Sequence, residues 1–520
     1  MNGKRSRGRP WSRLGLALTT ALTVFAVAPA TGYAETGSAV SWGENFHTEL
    51  GAGFKSGKFE PRPQSVIGLS TIVKVAAGDS FDLALLSNGT VEAWGGNLYA
   101  ELGDGTTEDS WEKRKSHVPV SGLSEVTAIS ASGAHALALL ANGTPMGWGT
   151  NQTGELGNGE GGVKTNKKTP QAIPSLSHVT AITTGGGSDY ALLENGELMA
   201  WGENTKGQLG IGPVASPTVC ETEIGPENCV LKATAVVLPE VVKKGEAHIA
   251  AISGGREFAM FLLSNGSVYA MGSNGKGQLG TGASNTNFNE PQRVANIGAG
   301  ETFGEAVAIS AGDQHALAIL SSGKVVGWGL NLHGQLSGTS TEECQGSPCD
   351  KTPKEISVLE GATAISAGKN YSLVLKSGKV YAFGLNNYGQ LGTGNPAEES
   401  NVPSVVEGIG AVQAISAGNL DAIALLKHEV SGPASIYSAT AESKAAHISW
   451  RYPATEYRLC STLFAFETDT PACEAGTTVV FGGPKEEGSY TYTGLLSEVP
   501  YAFGIKEKTG QVLWISSTPL

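Results

Sequence analysis

The stretch "LMAWGENTKGQLGIG", residues 198–212, decides the fold. Near copies stand at 269–282, "YAMGSNGKGQLGTG", and at 381–394, "YAFGLNNYGQLGTG". A phrase repeated at a near-fixed period sets the architecture before any local reading, because such units bury their apolar faces against one another. The core is a large apolar residue followed by Gly-x-Asn. Trp42, Trp94, Trp148, Trp201, Met271, Trp328 and Phe383 head the seven copies, 52 to 70 residues apart. A Glu/Gln-Leu-Gly turn follows each, except for Gln335-Leu336-Ser337.

A second half-motif lies between the copies. It reads "VAAGDSFDLALLSNGTV" at 75–91 and "AISAGDQHALAILSSGKV" at 308–325. Its short apolar run ends in Asn-Gly or Ser-Gly, and the chain then runs apolar again into the next large residue and glycine. Two apolar runs joined by such a pair predict a hairpin with a two-residue turn and positive φ at both centres. The runs are too short for typical helices, and the 72 glycines punctuate them. A unit of about 50 residues holding several antiparallel strands predicts a β-propeller blade.

The chain begins its repeats with a second half, "AVSWGEN", and ends them with a first half, "AISAGNLDAIALLKHEV". The halves complement each other. The expectation is an all-β chain: a seven-bladed β-propeller over 38–428, closed by its N-terminal strand so that no free sheet edge remains. Residues 432–520 carry short alternating runs such as "AHISWRY" and "GSYTYTGL", which predict a small β-sandwich.

These residues carry a resemblance. The small-Gly-x-x-His-x-Leu pattern, then Asn-Gly, then Trp-Gly-x-Asn-x-x-Gly-Gln-Leu-Gly, resembles the repeat of the regulator of chromosome condensation family, of bacterial secreted type. The family's His is kept at His135 and His315; Phe81, Ser188, Phe258, Tyr371 and Asp421 stand there in the other units. Such variation fits a structural position. The resemblance marks a fold shared by nuclear exchange factors, ubiquitin ligases and secreted bacterial proteins. Some similar bacterial propellers inhibit β-lactamases, and the family name implies guanine-nucleotide exchange. "YTYTGLLSEVPYAFGIKEKTG" resembles a fibronectin type III signature, with another immunoglobulin-like sandwich as the alternative.

The first 34 residues read as a secretory signal peptide, with a retained anchor as the alternative. Lys4, Arg5, Arg7, Arg9 and Arg13 precede an apolar run from 14 to 27, and Gly32 and Ala34 are spaced for cleavage. No later apolar stretch reaches the roughly 20 residues of a spanning helix. Export predicts a secreted or envelope-associated protein. The six cysteines then read as disulfides between near neighbours: Cys220 with Cys229, Cys344 with Cys349, Cys460 with Cys473. None of the three pairs has the spacing of a zinc site.

Without residues 1–34 the chain has 30 basic against 48 acidic residues, a net charge of −18. Nucleic-acid binding relies on neutralised phosphates, so nucleic acid is not an expected partner. No nucleophile elbow, zinc-protease, phosphate-loop or calcium-loop motif is present, so no catalytic residue, cofactor or metal is expected. An enzyme site built from carboxylates of different blades, a hydrolase or lyase at the central channel, stays open as an alternative. The expected role is to bind a protein or glycan, as a monomer, through one loop-rich face. The candidate contacts are Trp111 with Lys113, Arg114 and Lys115, and Lys164, Lys167 and Lys168 in the next such segment. Disulfides in the long segments 213–240 and 338–353 would stiffen that face and lower the entropy lost on binding.

Overall fold

The computed structural model describes residues 36–53, 59–107, 116–213, 218–396 and 399–427, and beyond these the backbone of seven strands between 435 and 517. Among the described residues there are 37 strands and one four-residue helix, Glu240–Lys243, so the chain is all-β apart from that turn.

Each repeat forms an antiparallel sheet. A typical one runs Ile249–Gly254, Phe258–Leu263, Val268–Gly272, Phe288–Arg293, in sequence order. The second strand is buried along its whole length, as in Phe258–Leu263 and His315–Leu320. It therefore reads as a continuous apolar run, because sheets cover both of its faces. Between residues 36 and 427 five sheets have four or five strands and one has eight. In the eight-stranded sheet Gly37–Glu44 lies antiparallel to Asp421–Lys427, with Gly37 opposite Lys427 and Gly43 opposite Asp421. That half joins Ile72–Ala77 and its successors through one pair, Gly37 with Ile72.

The repeated phrase is a loop that bonds itself. In all seven copies the Asn side-chain oxygen accepts the N–H of the Leu five residues on, at 2.9 to 3.3 Å. In all seven the Glu or Gln side-chain oxygen accepts the N–H two residues back, at 2.8 to 2.9 Å. Only an acceptor is needed there, which is why Glu49, Glu101 and Glu155 replace Gln in the first three copies. The glycine after the Trp takes φ between 97° and 115° in every copy. At Gly95 a Cβ would stand 2.5 Å from the Ser80 carbonyl, so a side chain is excluded on both counts.

Neighbouring repeats are then pinned together. The indoles of Trp94, Trp148, Trp201 and Trp328 donate to the carbonyls of Glu49, Glu101, Glu155 and Gln278, each in the preceding copy, at 2.7 to 2.9 Å. Where Met271 and Phe383 replace Trp, Tyr190 Oη and Ser372 Oγ donate to the orphaned carbonyls of Gln208 and Gln335, both at 2.7 Å. A second ring of bonds joins the innermost strands. Ser130, Thr183, Ser253, Ser310, Ser366 and Ser416 accept the N–H of Thr184, Gly254, Ala311, Ala367, Ala417 and Ala77 in turn, at 2.9 to 3.2 Å. Ala76 occupies the equivalent position on Ile72–Ala77.

Two local expectations are corrected. The hairpin turns are not two-residue turns with two positive φ values, except at Ser377-Gly378 (51° and 72°). Elsewhere only the glycine is left-handed. At 86–90 Gly89 N–H bonds the Leu86 carbonyl and Leu86 N–H the Thr90 carbonyl, a three-residue turn with a glycine bulge. Asn88, Asn142, Asn195 and Asn265 instead use their side chains to accept the N–H two residues on. The long cysteine-bearing segments are not loops either. Thr218–Thr222 with Gly225–Ala235, and Glu342–Cys344 with Ser347–Ile356, are hairpins that add fifth strands to their sheets. Disulfides Cys220–Cys229 and Cys344–Cys349 bridge them. The expected Cys460–Cys473 pair lies outside the described residues.

Beyond 434 the strands form two sheets. One orders Ser435–Glu442, Ala445–Arg451, Glu487–Thr493; the other orders Thr477–Val480, Glu456–Leu463, Tyr501–Glu507, Val512–Ser517.

Candidate functional site

After each innermost strand and its glycine the chain places one residue at the same end of the channel that the hydroxyls line. Asp79, Arg256, Asp313, Lys369 and Asn419 meet there around a cavity of about 180 Å³. Arg256 Nη1 lies 3.2 Å from Asp313 Oδ2. Burial pushes the Asp313 carboxyl up to about 6, against the pull of Arg256 and with help from the charge of Asp79. Burial likewise raises Asp79, although Arg256 and Lys369 hold it down. Asp313 is therefore not the simple turn cap that its glycine neighbours suggest; it is half of an ion pair joining two repeats.

Beside this mouth opens a second, larger cavity of about 390 Å³. Asp79, Glu155, Glu203, Glu223, Glu227, Glu257 and Asp313 line it against a single cation, Arg256. Burial and then the charges of Glu203 and Glu257 raise Glu227, which shows how closely these carboxylates crowd. The 220–229 hairpin forms one wall. Its tip is docked, not loose: Glu223 N–H donates to Gln152 Oε1 at 2.9 Å, and Tyr99 Oη donates to Glu223 Oε2 at 3.1 Å. Val163 N–H bonds the Glu221 carbonyl at 3.1 Å. At the tip Ile224 is 87% exposed, and Leu98, beside Tyr99, is 63% exposed. An acidic hollow thus adjoins apolar side chains held on a cross-linked support. Chemically it can attract cationic groups and shelter an aliphatic one.

Of the sequence-derived contacts, Trp111, Lys113, Arg114 and Lys115 lie outside the described residues. Lys164 is exposed in a turn with φ 79°, and Lys167 and Lys168 sit on the strand Lys167–Ala172. Lys167 Nζ is matched by Glu160 Oε2 at 2.6 Å, and that contact lowers the Glu160 carboxyl. The cavity itself was missed. Its one signal was the varied residue after the channel glycine, with Glu in place of Gln at 155.

The two family histidines are sealed. His135 Nε2 lies 2.9 Å from Asp189 Oδ1 and His315 Nε2 lies 3.0 Å from Ser372 Oγ, with all four side chains fully buried. Burial alone lowers His315 to about 3. At His135 burial acts the same way, but Asp189 outweighs it and the imidazole lies above its ordinary value. Among the described residues no three His, Cys, Asp or Glu side chains are grouped to hold a metal ion, and no helix is long and apolar enough to cross a membrane.

Sheets packed face to face and pinned to one another around a hydroxyl-lined channel define a β-propeller scaffold. The chain belongs to the RCC1-like domain family: that family model matches residues 32–349, and regulator of chromosome condensation repeats match 362–390 and 377–425. It is 26% identical to the Arabidopsis thaliana ultraviolet-B receptor UVR8 over 393 residues, covering 73% of this chain and 81% of that one. It is 27% identical to the human E3 ubiquitin-protein ligase HERC2 over 405 residues, covering 75% of this chain but 8% of that protein. Among solved structures, Prp20p of Saccharomyces cerevisiae superposes with a TM-score of 0.64 at 19% identity, over 78% of this chain and 96% of that one. Human WBSCR16 gives 0.62 at 18%, over 76% and 100%. At such identities the structures speak for the fold alone.

Proposed function

We propose that this chain is a secreted scaffold that binds a protein partner through the face carrying the acidic cavity and the 220–229 hairpin. The observation that carries the reading is the pairing of seven cavity-lining carboxylates with the exposed Ile224, on a disulfide-bridged hairpin, and the exposed Leu98, beside the Tyr99 that docks that hairpin. A fixed apolar anchor beside a complementary charged rim is how protein interfaces concentrate their energy. The partner this face suits presents Lys or Arg side chains next to an aliphatic residue. If that partner is a secreted enzyme, the chain acts as its inhibitor.

The scaffold in this reading is a seven-bladed ring. The eight-stranded sheet counts as two blades, joined by one residue pair, and Gly37–Glu44 closes the last. The bonds from the Ala77 N–H to Ser416 and from the Trp42 indole to the Gln390 carbonyl support that closure. The C-terminal unit is proposed to be fibronectin type III-like, which its three- and four-stranded sheets support. Residues 1–34 are proposed to direct export.

The test is fluorescence anisotropy of the chain against labelled peptides that carry Lys, Arg and Leu, beside peptides with Glu at the cationic positions. Binding of the basic peptides alone, weakened by salt and by Ile224→Asp, is the expected result. Equal binding of both sets, or no effect of Ile224→Asp, overturns the assignment of this face.

A further inference from the structure

At each boundary between repeats the same three positions meet. They are the residue at the family's His position, the residue after it in the next repeat, and the Glu or Gln of the Leu-Gly turn. At one boundary these are His135, Asp189 and Glu155; at another His315, Ser372 and Gln335; at a third Phe258, Ala316 and Gln278. Where the strand Asp421–Lys427 packs beside Phe81–Leu86 they are Asp421, Asp82 and Glu49, all carboxylic acids. Asp421 is 1% exposed, and Asp82 and Glu49 are 0% exposed. Both oxygens of Asp82 and both of Asp421 lack a hydrogen-bond partner among the described residues. Asp421 stands where His135 supplies a proton-bearing ring elsewhere.

Among the described residues the surroundings of Asp82 and Asp421 add no cation. Glu44 and Glu49 come from Gly37–Glu44 and the turn after it, and Asp82 from Phe81–Leu86. Tyr371 comes from Tyr371–Lys376, and its hydroxyl donates to the Asp421 carbonyl. The Trp94 indole donates to the Glu49 carbonyl and lies close enough to Asp82 to hold its carboxyl down in part. Burial raises the Glu44 carboxyl, and Lys369 offsets that rise only in part. Charged carboxylates are costly at these depths, whereas protonated ones can bond to each other.

We infer that this boundary is a proton-held latch: Asp82 and Asp421 keep it closed while they carry protons between them, and loss of those protons loosens Gly37–Glu44 and Asp421–Lys427. The consequence for ring opening rests on reading Gly37–Glu44 as the closing strand. Burial and then Glu49 push Asp82 well above the usual carboxylate range, and burial and then Asp82 do the same for Asp421. A carboxyl raised in the folded state stabilises fully below its unfolded value, and that contribution is lost as pH rises toward the folded one. The closed latch therefore belongs to acidic solution.

The experiment is amide hydrogen exchange on the full chain between pH 5.5 and 8.5, corrected for intrinsic rates. It follows 37–44 and 421–427, with Phe258–Leu263, whose boundary has no titrating group, as control. Exchange in the first two segments is expected to accelerate with pH beyond the control, by up to about tenfold per pH unit for each proton released. Asp421→Asn is expected to lower that slope, and the double variant with Asp82→Asn to abolish it. If Asp421→Asn fails to fold by near-ultraviolet circular dichroism, Asp82→Asn carries the test. A slope matching the control, or one undiminished in the folded variant, overturns the latch. Rapid exchange of 37–44 at every pH overturns the closing-strand reading instead, and the latch with it.

Discussion

The Trp42 indole donates to the Gln390 carbonyl at 2.9 Å, across 348 residues of chain. The bond repeats the one that Trp94 makes to Glu49, so the first and last copies of the phrase meet as any two neighbours do. Trp42 is fully buried, and its loss as a donor would strand a carbonyl. Trp42→Phe is expected to lower stability by about 1–3 kcal/mol, the cost of an unsatisfied buried polar group plus some packing. Urea unfolding checks it. Ser372→Ala strands both the Gln335 carbonyl and His315 Nε2 and is expected to cost at least as much.

Ala76 interrupts the ring of channel hydroxyls. It is 8% exposed and stands where Ser130 and its equivalents accept an N–H from the next repeat. Ala76→Ser adds one oxygen in a position already proven in six neighbours. The expected gain is about 0.5–1 kcal/mol, the net worth of an ordinary hydrogen bond. A raised thermal midpoint together with slower exchange of the Ala131 amide supports it; an unchanged amide does not.

What was legible in the sequence follows from how far apart the bonded atoms lie. The Asn45-to-Leu50 and His47-to-Glu49 bonds form within ten residues, so the phrase had to recur intact and the repeat could be read. The turn type was not legible, because Asn-Gly suits both a two-residue turn and a glycine bulge, and strand register chooses between them. The cavity was not legible for a different reason. Asp79 and Asp313 are neighbours only after three intervening repeats have curved the chain, and each looks like a turn residue in its own segment. The cysteine pairs were found by spacing, but whether they tied loops or strands depended on whether the sheet edge beside them was free.

Asp313 supplies a pH dependence for the acidic face. Burial holds its carboxyl near 6, so its stabilising contribution is complete below the ordinary 3.8 and is lost between there and 6. Its negative charge, by the same sign, appears as pH rises through 6. Affinity for a basic peptide is therefore expected to increase between pH 5 and 7, with a midpoint about 6. Asp313→Asn is expected to remove that step while leaving the salt dependence contributed by Glu203 and Glu223. A flat wild-type profile over this range counts against Asp313 as part of the binding face.

The Cys220–Cys229 bridge should matter for binding more than for the fold. It closes a short hairpin at the outer edge of its sheet, with Ile224 at the tip and the core strands Ser188–Leu193 and Leu198–Glu203 elsewhere in that sheet. Cross-links act mainly on the freedom of the unbridged chain, and here that freedom is local. Replacing both cysteines by Ser is expected to leave the unfolding midpoint of the propeller within about 2 °C, since few core contacts change. It is also expected to expose the segment 222–226 to proteolysis and to weaken basic-peptide binding about tenfold, through the cost of ordering the tip. Mass spectrometry of limited digests reads the first effect and anisotropy the second. Cleavage at the tip with unchanged affinity would mean that Ile224 is carried on the hairpin without serving the site.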